Sequence, residues 1–223
     1  MRSVIFDFNG TMYQDKEFHK EAWIRYGREL GFPITEEIFY QHMYGPTNAS
    51  IFAWLYGRPL EADQVERMAE EKERVYRQIC LEHPDELHLT DGLPEALDKM
   101  KAANVNMTIA TASNRANVDF YRDVFGLDRW FDYGKILCDD GTVPQKPDPA
   151  IYRMSASLIG VTPEECMIVE DSMSGYRAAY AAGAGEITLL DTSLGAERAA
   201  ALPGVCRVIH NFYGFEKLFP GVA

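Results

Sequence analysis

Short apolar runs alternate with segments of helical spacing along most of this chain. Runs at residues 3–6, 105–110, 135–138, 166–169, 186–190 and 205–209 read as strands. Between most of them lie stretches with helical spacing, at 92–103, 115–125, 149–159 and 174–182. Strands alternating with helices predict an α/β fold, a parallel sheet joined by crossover helices.

One region breaks the rhythm. From Lys16 to Glu86 no strand pattern occurs. Phe18, Ala22, Tyr26 and Leu30 recur on one helical face, and Val65, Met68, Lys72, Val75 and Ile79 recur on another. Tyr44-Gly45-Pro46-Thr47-Asn48 punctuates the middle, with Thr47 or Asn48 as the helix cap. The reading is a small helical domain, residues 16–86, inserted after the first strand of a core made of residues 1–15 and 87–223. Linkers near Gln14-Asp15 and Pro84-Asp85 are the expected hinges.

The bulk numbers narrow the partners. The 223 residues are 47% hydrophobic, enough for one large domain or a domain with a smaller insert. With 22 Lys+Arg against 34 Asp+Glu the formal charge is -12. So acidic a surface repels nucleic acid and anionic membrane, and an anionic substrate then needs a local island of positive charge. The cysteines, Cys80, Cys138, Cys166 and Cys206, form no CxxC pair. Buried reduced thiols are expected rather than zinc or disulfides. No signal peptide or membrane-length apolar run is visible, so a cytoplasmic protein is expected, a monomer or weak homodimer.

Ligands of open parallel sheets bind beyond the carboxyl ends of the strands. The residues expected there are Asp7, Asn9, Gly10 and Thr11 after strand one, and Thr111, Ala112, Ser113 and Asn114 after strand two. Lys146 follows strand three, and Glu170 and Asp171 follow the 166–169 strand. Asp7 and Asp171, with a backbone carbonyl near Asn9, offer hard oxygens suited to Mg2+. Thr111, read as a helix start, suits phosphate, and Lys146 supplies the positive island. Asp7 retains an oxygen that can attack phosphorus.

These motifs, DFNGT, TIATASN, KPDP and VEDSMSG, resemble those of the haloacid dehalogenase superfamily, in its usual order and over almost the whole chain. The insert resembles the helical cap of the subfamily containing β-phosphoglucomutase and sugar-phosphate phosphatases. The resemblance implies a Rossmann-like core and a Mg2+-dependent phosphatase acting on a small phosphorylated metabolite. It makes Asp7 the nucleophile, Thr111 the phosphate-binding hydroxyl, Lys146 the charge clamp and Asp171 a metal ligand, with Glu170 a ligand or a partner behind one. Thr11, Ala112, Ser113 and Asn114 are further phosphate-contact candidates. His19, Thr47, Asn48 and Lys72 are substrate-contact candidates from the insert.

Asn9 stands where the family's phosphatases usually carry Asp. That acid protonates the leaving oxygen and then activates water, and an amide does neither. General acid–base help is worth about 10²–10⁴-fold, so slow turnover is expected, least so for acyl and aryl phosphates. His19 is the alternative proton source. Two other readings stay open: a mutase of the β-phosphoglucomutase type, disfavoured because Asn48 replaces the arginine of its cap turn, and a catalytically weak phosphometabolite-binding protein. His42, His83 and His88 read as surface or packing residues, and Glu70-Glu71-Lys72-Glu73-Arg74 as a solvated helix face.

Overall fold

The computed structural model describes residues 3–191 and 195–222. In chain order the elements are β1 (Ser3–Phe6), α1 (Lys16–Glu29), α2 (Glu36–Ile38, continued by a π-helical turn, Phe39–Met43), α3 (Asn48–Tyr56), α4 (Ala62–Glu82), α5 (Leu93–Ala102), β2 (Asn106–Asn114), α6 (Arg115–Phe125), β3 (Leu137–Asp139), α7 (Ala150–Leu158), β4 (Cys166–Glu170), α8 (Met173–Ala182), β5 (Glu186–Leu190), α9 (Ala196–Ala200) and β6 (Val205–Ile209). Two compact units result, Asp15–Leu87 and the rest of the chain.

The second unit is a six-stranded sheet in the order β3-β2-β1-β4-β5-β6, every pairing parallel. This α/β architecture is the one the apolar runs predict. The residues of β1 and β4 are buried throughout, so both strands read as unbroken apolar runs. Ile5, Ala110, Ile168, Ile187 and Leu189 from the strands belong to one core with Ile151, Tyr152, Ala178 and Ala179 from α7 and α8. Phe6, in contact with Phe131, Phe212 and Phe215, anchors an aromatic cluster.

The chain runs outward on both sides of β1, to β2 and to β4. That reversal is the switch point where sheets of this kind bind ligands. The Asp7 N–H donates to the Val169 carbonyl at 2.9 Å, so the ends of β1 and β4 lie side by side.

Three local expectations change. Strand two does not stop at residue 110; it runs to Asn114, and Thr111 lies inside it. The following helix starts at Arg115, because the Asn114 side chain accepts from the Asn117 N–H at 2.9 Å and fixes the N-terminus there. Thr111 is therefore not at a helix start. Residues Tyr133–Lys135 form a 3-10 turn, held by Asp132, and the third strand begins only at Leu137. Cys80, Cys138 and Cys166 are buried free thiols, but Cys206 is exposed on β6.

In the helical unit α1 packs on α4. Trp23, Tyr26, Ile34, Phe39, Met43, Ile51, Phe52 and Met68 make its core. Thr47 caps α3, its Oγ1 accepting from the Ser50 N–H at 3.2 Å. The 70–74 stretch is not uniformly solvated: Lys72 and Glu73 are buried. Their N–O distance is 2.5 Å, and the pair shields its own charge. His42 stacks on Trp54 at 4.3 Å. Among the described residues no helix is long and apolar enough to cross a membrane.

Candidate active site

The site grows from the end of β1. Asp7 follows the last apolar residue of that strand and is 6% exposed. Gly10 turns the chain away with φ +80°, and a side chain there would overlap the Asp171 carboxylate. From β4 come Glu170, wholly buried, and Asp171, nearly so. A Cβ at Gly175, in the first turn of α8, would overlap Glu170, so the small residue admits that carboxylate.

Lys146 ties the two strand ends together. Its ammonium lies 2.6 Å from Asp7 Oδ1 and 2.6 Å from Glu170 Oε1. The Tyr152 hydroxyl donates to the same Glu170 oxygen at 2.5 Å. Thr11 Oγ1 donates to Asp171 Oδ1 at 3.4 Å.

Burial and neighbours push the two carboxylates apart. Desolvation outweighs Lys146 at Asp7, Glu170 adds repulsion, and the carboxyl is raised to about 7. Burial also acts on Glu170, but Lys146 and the hydrogen bonds from Lys146, Tyr152 and the Ser172 backbone prevail and hold it below its ordinary value. Between those two anions Lys146 is held above the usual lysine range in spite of its own desolvation.

Each of Asp7, Glu170 and Asp171 brings a carboxylate oxygen within 4.8 Å of the other two. Three buried acids against one lysine leave surplus negative charge on hard oxygens. That donor set fits a divalent cation.

Hydroxyls flank the acids. Asn9 Oδ1 accepts from Ser113 Oγ at 2.6 Å and from Thr111 Oγ1 at 3.3 Å, while its Nδ2 donates to the Tyr121 hydroxyl at 2.8 Å. Thr111 Oγ1 in turn accepts from the Ser113 N–H at 3.0 Å. The amide is thus bound into the end of β2. Beside it a hollow is lined by Thr111, Ala112, Pro144, Gln145, Lys146 and Ile151. Asn114 is the exception among the strand-two candidates: its side chain is committed to capping α6.

The structure therefore brings together Asp7, Asn9, Thr11, Thr111, Ser113, Lys146, Glu170 and Asp171. Ala112 lines the neighbouring hollow and Asn114 caps α6, both on β2, while the remaining candidates, His19, Thr47, Asn48 and Lys72, lie in the helical unit. There His19 Nε2 is 3.3 Å from Asp15 Oδ2, His19 Nδ1 is 3.3 Å from Lys72 Nζ, and the His19 ring stacks on Tyr76 at 4.0 Å. Thr47 is a helix cap, and Asn48 is the first residue of α3. Sequence reasoning passed over Tyr152 and Tyr121, because a tyrosine on the apolar face of a helix carries only a packing signal.

The family model for haloacid dehalogenase-like hydrolases matches residues 1–183. The chain belongs to this family. It is 29% identical over 187 residues to the phosphorylated carbohydrates phosphatase of Thermotoga maritima, covering 82% of each chain. To the β-phosphoglucomutase of Bacillus subtilis it is 25% identical over 189 residues, 82% of this chain and 80% of that one. A solved hydrolase of family IA, variant 3, from Entamoeba histolytica superposes with a TM-score of 0.87 at 30% identity, covering 96% of this chain and 95% of that one. The CbbY mutant from Rhodobacter sphaeroides in complex with xylulose-(1,5)bisphosphate shares the fold, with a TM-score of 0.78 at 21% identity and coverages of 96% and 95%. The chain is a hydrolase of the haloacid dehalogenase type, with an acidic cluster suited to a divalent metal.

Proposed function

We propose that this hydrolase is a Mg2+-dependent phosphatase of a small phosphorylated carbohydrate, working through an aspartyl-phosphate on Asp7. The observation that carries the reading is the buried arrangement at the strand ends, with Lys146 2.6 Å from both Asp7 and Glu170 and with Asp171 alongside. The Thermotoga relative's name supports the substrate class. Asp7 and Asp171 are the residues placed to hold the cation, which neutralises phosphate charge when bound.

One Asp7 oxygen is bound to Lys146, which fixes the carboxylate's orientation. The carboxylate attacks phosphorus, an Asp7 O–P bond forms, and the ester P–O bond breaks to release the sugar hydroxyl. Lys146 offsets the charge of the incoming phosphate, and the Thr111 and Ser113 hydroxyls, once rotated away from Asn9 Oδ1, are donors for its oxygens. Water then attacks phosphorus, restoring Asp7 and releasing inorganic phosphate. Asn9 has no acidic proton for the leaving oxygen, so the sugar leaves as an alkoxide that takes its proton from solvent water, and esters with poor leaving groups turn over slowly. Four free cysteines, three of them buried, suit a reducing cytoplasm.

The test is a panel of phosphorylated sugars assayed with and without Mg2+. Metal-dependent release of inorganic phosphate supports the reading; none from any donor overturns it. The Bacillus relative makes a mutase the second reading. Incubation with β-glucose 1-phosphate and a bisphosphate primer separates the two, since a mutase yields glucose 6-phosphate and a phosphatase yields free phosphate.

A further inference from the structure

Tyr152 lies on α7, buried beneath the site, and none of the four sequence motifs includes it. Its hydroxyl donates to Glu170 Oε1 at 2.5 Å, and the Lys146 ammonium sits 5.1 Å from the centre of its ring. One side chain thus touches both the anion and the cation that flank Asp7.

Glu170 is the residue whose role this changes. Oε1 accepts from Lys146 Nζ at 2.6 Å and from Tyr152. Oε2 accepts from the N–H groups of Asp171 at 3.0 Å and Ser172 at 3.2 Å, and from Ser172 Oγ at 3.1 Å. Those are five donors for the roughly four lone-pair sites of a carboxylate. No site remains for a metal, although an oxygen lies within 4.8 Å of those of Asp7 and Asp171. An ammonium already seated on Oε1 also repels a cation there.

We propose that Tyr152 is a positioning residue of this site. It holds Glu170 as an anchor for Lys146 and for the 171–172 backbone, and Glu170 does not bind the cation. The chain of contacts is short. Tyr152 and the two N–H groups fix the Glu170 carboxylate, Glu170 fixes one side of the Lys146 ammonium, and the ammonium fixes Asp7 Oδ1. The ring supplies a cation–π contact from below. Loss of the hydroxyl lets Glu170 and Lys146 drift, and the carboxylate oxygen of Asp7 with them. A misplacement of that kind acts on the chemical step rather than on substrate affinity.

This rests on the phosphatase reading, and the experiment keeps the two apart. Three full-length proteins are compared, wild type, Tyr152→Phe and Tyr152→Leu, using p-nitrophenyl phosphate with Mg2+. Tyr152→Phe keeps the ring and is expected to lose about tenfold in kcat with KM within about twofold of wild type. Tyr152→Leu loses the ring as well and is expected to fall further. Phe at wild-type kcat overturns the positioning role and leaves packing alone. Crystals of the wild type soaked in Mn2+ read the second half directly. The ion is expected on Asp7 and Asp171, with Glu170 still bound to Tyr152 and Lys146; a Glu170 oxygen in the coordination shell overturns the anchor assignment. Wild type that shows neither Mg2+-dependent turnover nor bound Mn2+ overturns the phosphatase reading and this inference with it.

Discussion

Each unit of the molecule buries one lysine against a carboxylate and an aromatic ring. In the α/β unit Lys146 has Asp7 and Glu170, each at 2.6 Å, and the Tyr152 ring at 5.1 Å. In the helical unit Lys72 has Glu73 at 2.5 Å, His19 at 3.3 Å and the Trp23 ring at 5.4 Å. The surroundings differ in balance. Lys72 and its neighbouring glutamate cancel within one helical turn. Lys146 faces acids from two strands, with Asp171 as a third, and surplus negative charge remains. A buried lysine is therefore no mark of a reaction site by itself. Uncompensated hard oxygens around it are, because only those attract a cation and leave a carboxylate available for bond formation.

That contrast breaks hardest at the two strand-one and loop residues. Asp7→Asn removes the carboxylate proposed as nucleophile, and Mg2+-dependent phosphate release is expected to fall by about 10⁴-fold or more. Lys146→Met leaves the acids unneutralised; kcat is expected to fall by about 10²–10³-fold, while Mn2+ binding, followed by electron paramagnetic resonance, tightens. Lys72→Met is the control from the other unit. It breaks the buried ion pair with Glu73, so denaturant unfolding is expected to show a loss of stability, with Mn2+ affinity within about twofold of wild type. A Lys72→Met protein that loses its metal would end the comparison.

Asn9→Asp sharpens it. The variant restores an acid at the second polar position, and turnover of an alkyl phosphate is expected to rise by about 10–10²-fold. Aryl phosphates with good leaving groups gain less. Equal gains on both, or none on either, contradict the role given to the amide.

A smaller effect follows from protonation. Asp7 is pushed up to about 7 in the folded state from an ordinary value of 3.8, so folding favours its protonated form. The stability this provides is complete below the unfolded value and is lost as pH rises through about 7. Glu170, held below its ordinary value, works the other way and loses its contribution only in acid. In EDTA the melting temperature is therefore expected to decline between about pH 5 and 8. Mg2+ takes the place of the proton, so its stabilising effect grows over the same range. Asp7→Asn should abolish both trends; a decline that survives this substitution assigns the titration to another group.

The smallest expected change lies in the helical unit. Thr47→Ala removes the cap of α3 and is expected to cost about 1 kcal/mol in denaturant unfolding. No change in unfolding would mean that Ser50, 3.0 Å from the threonine hydroxyl, takes over the cap.

Strand positions and site membership were legible along the chain to different degrees. β1, β5 and β6 have the bounds that their apolar runs mark; β1 and β5 lie inside the sheet and are buried almost throughout, while β6 is the partly exposed edge strand. Two of the motifs likewise announce their carboxylates, since Asp7 directly follows the apolar run of β1 and Glu170-Asp171 close that of β4, whereas Lys146 lies in the loop after β3. The polar stretch 111–114 carries no such mark. Its strand character comes from pairing with β3 at Asn114–Asp139, a partner distant in sequence.

What the sequence determined by itself was a parallel sheet, its ligand-binding end, and the acids and lysine gathered there, all consequences of apolar periodicity and of residue chemistry at strand ends. Tertiary structure alone decided how those groups are used. It spent both oxygens of Glu170 on five donors, turned Asn9 toward two hydroxyls and a tyrosine, and put Lys72 in the interior beside Glu73. The reason is physical. Periodicity reports which face of an element is covered, whereas a hydrogen bond depends on which side chain from a remote segment arrives at that face, and at what distance.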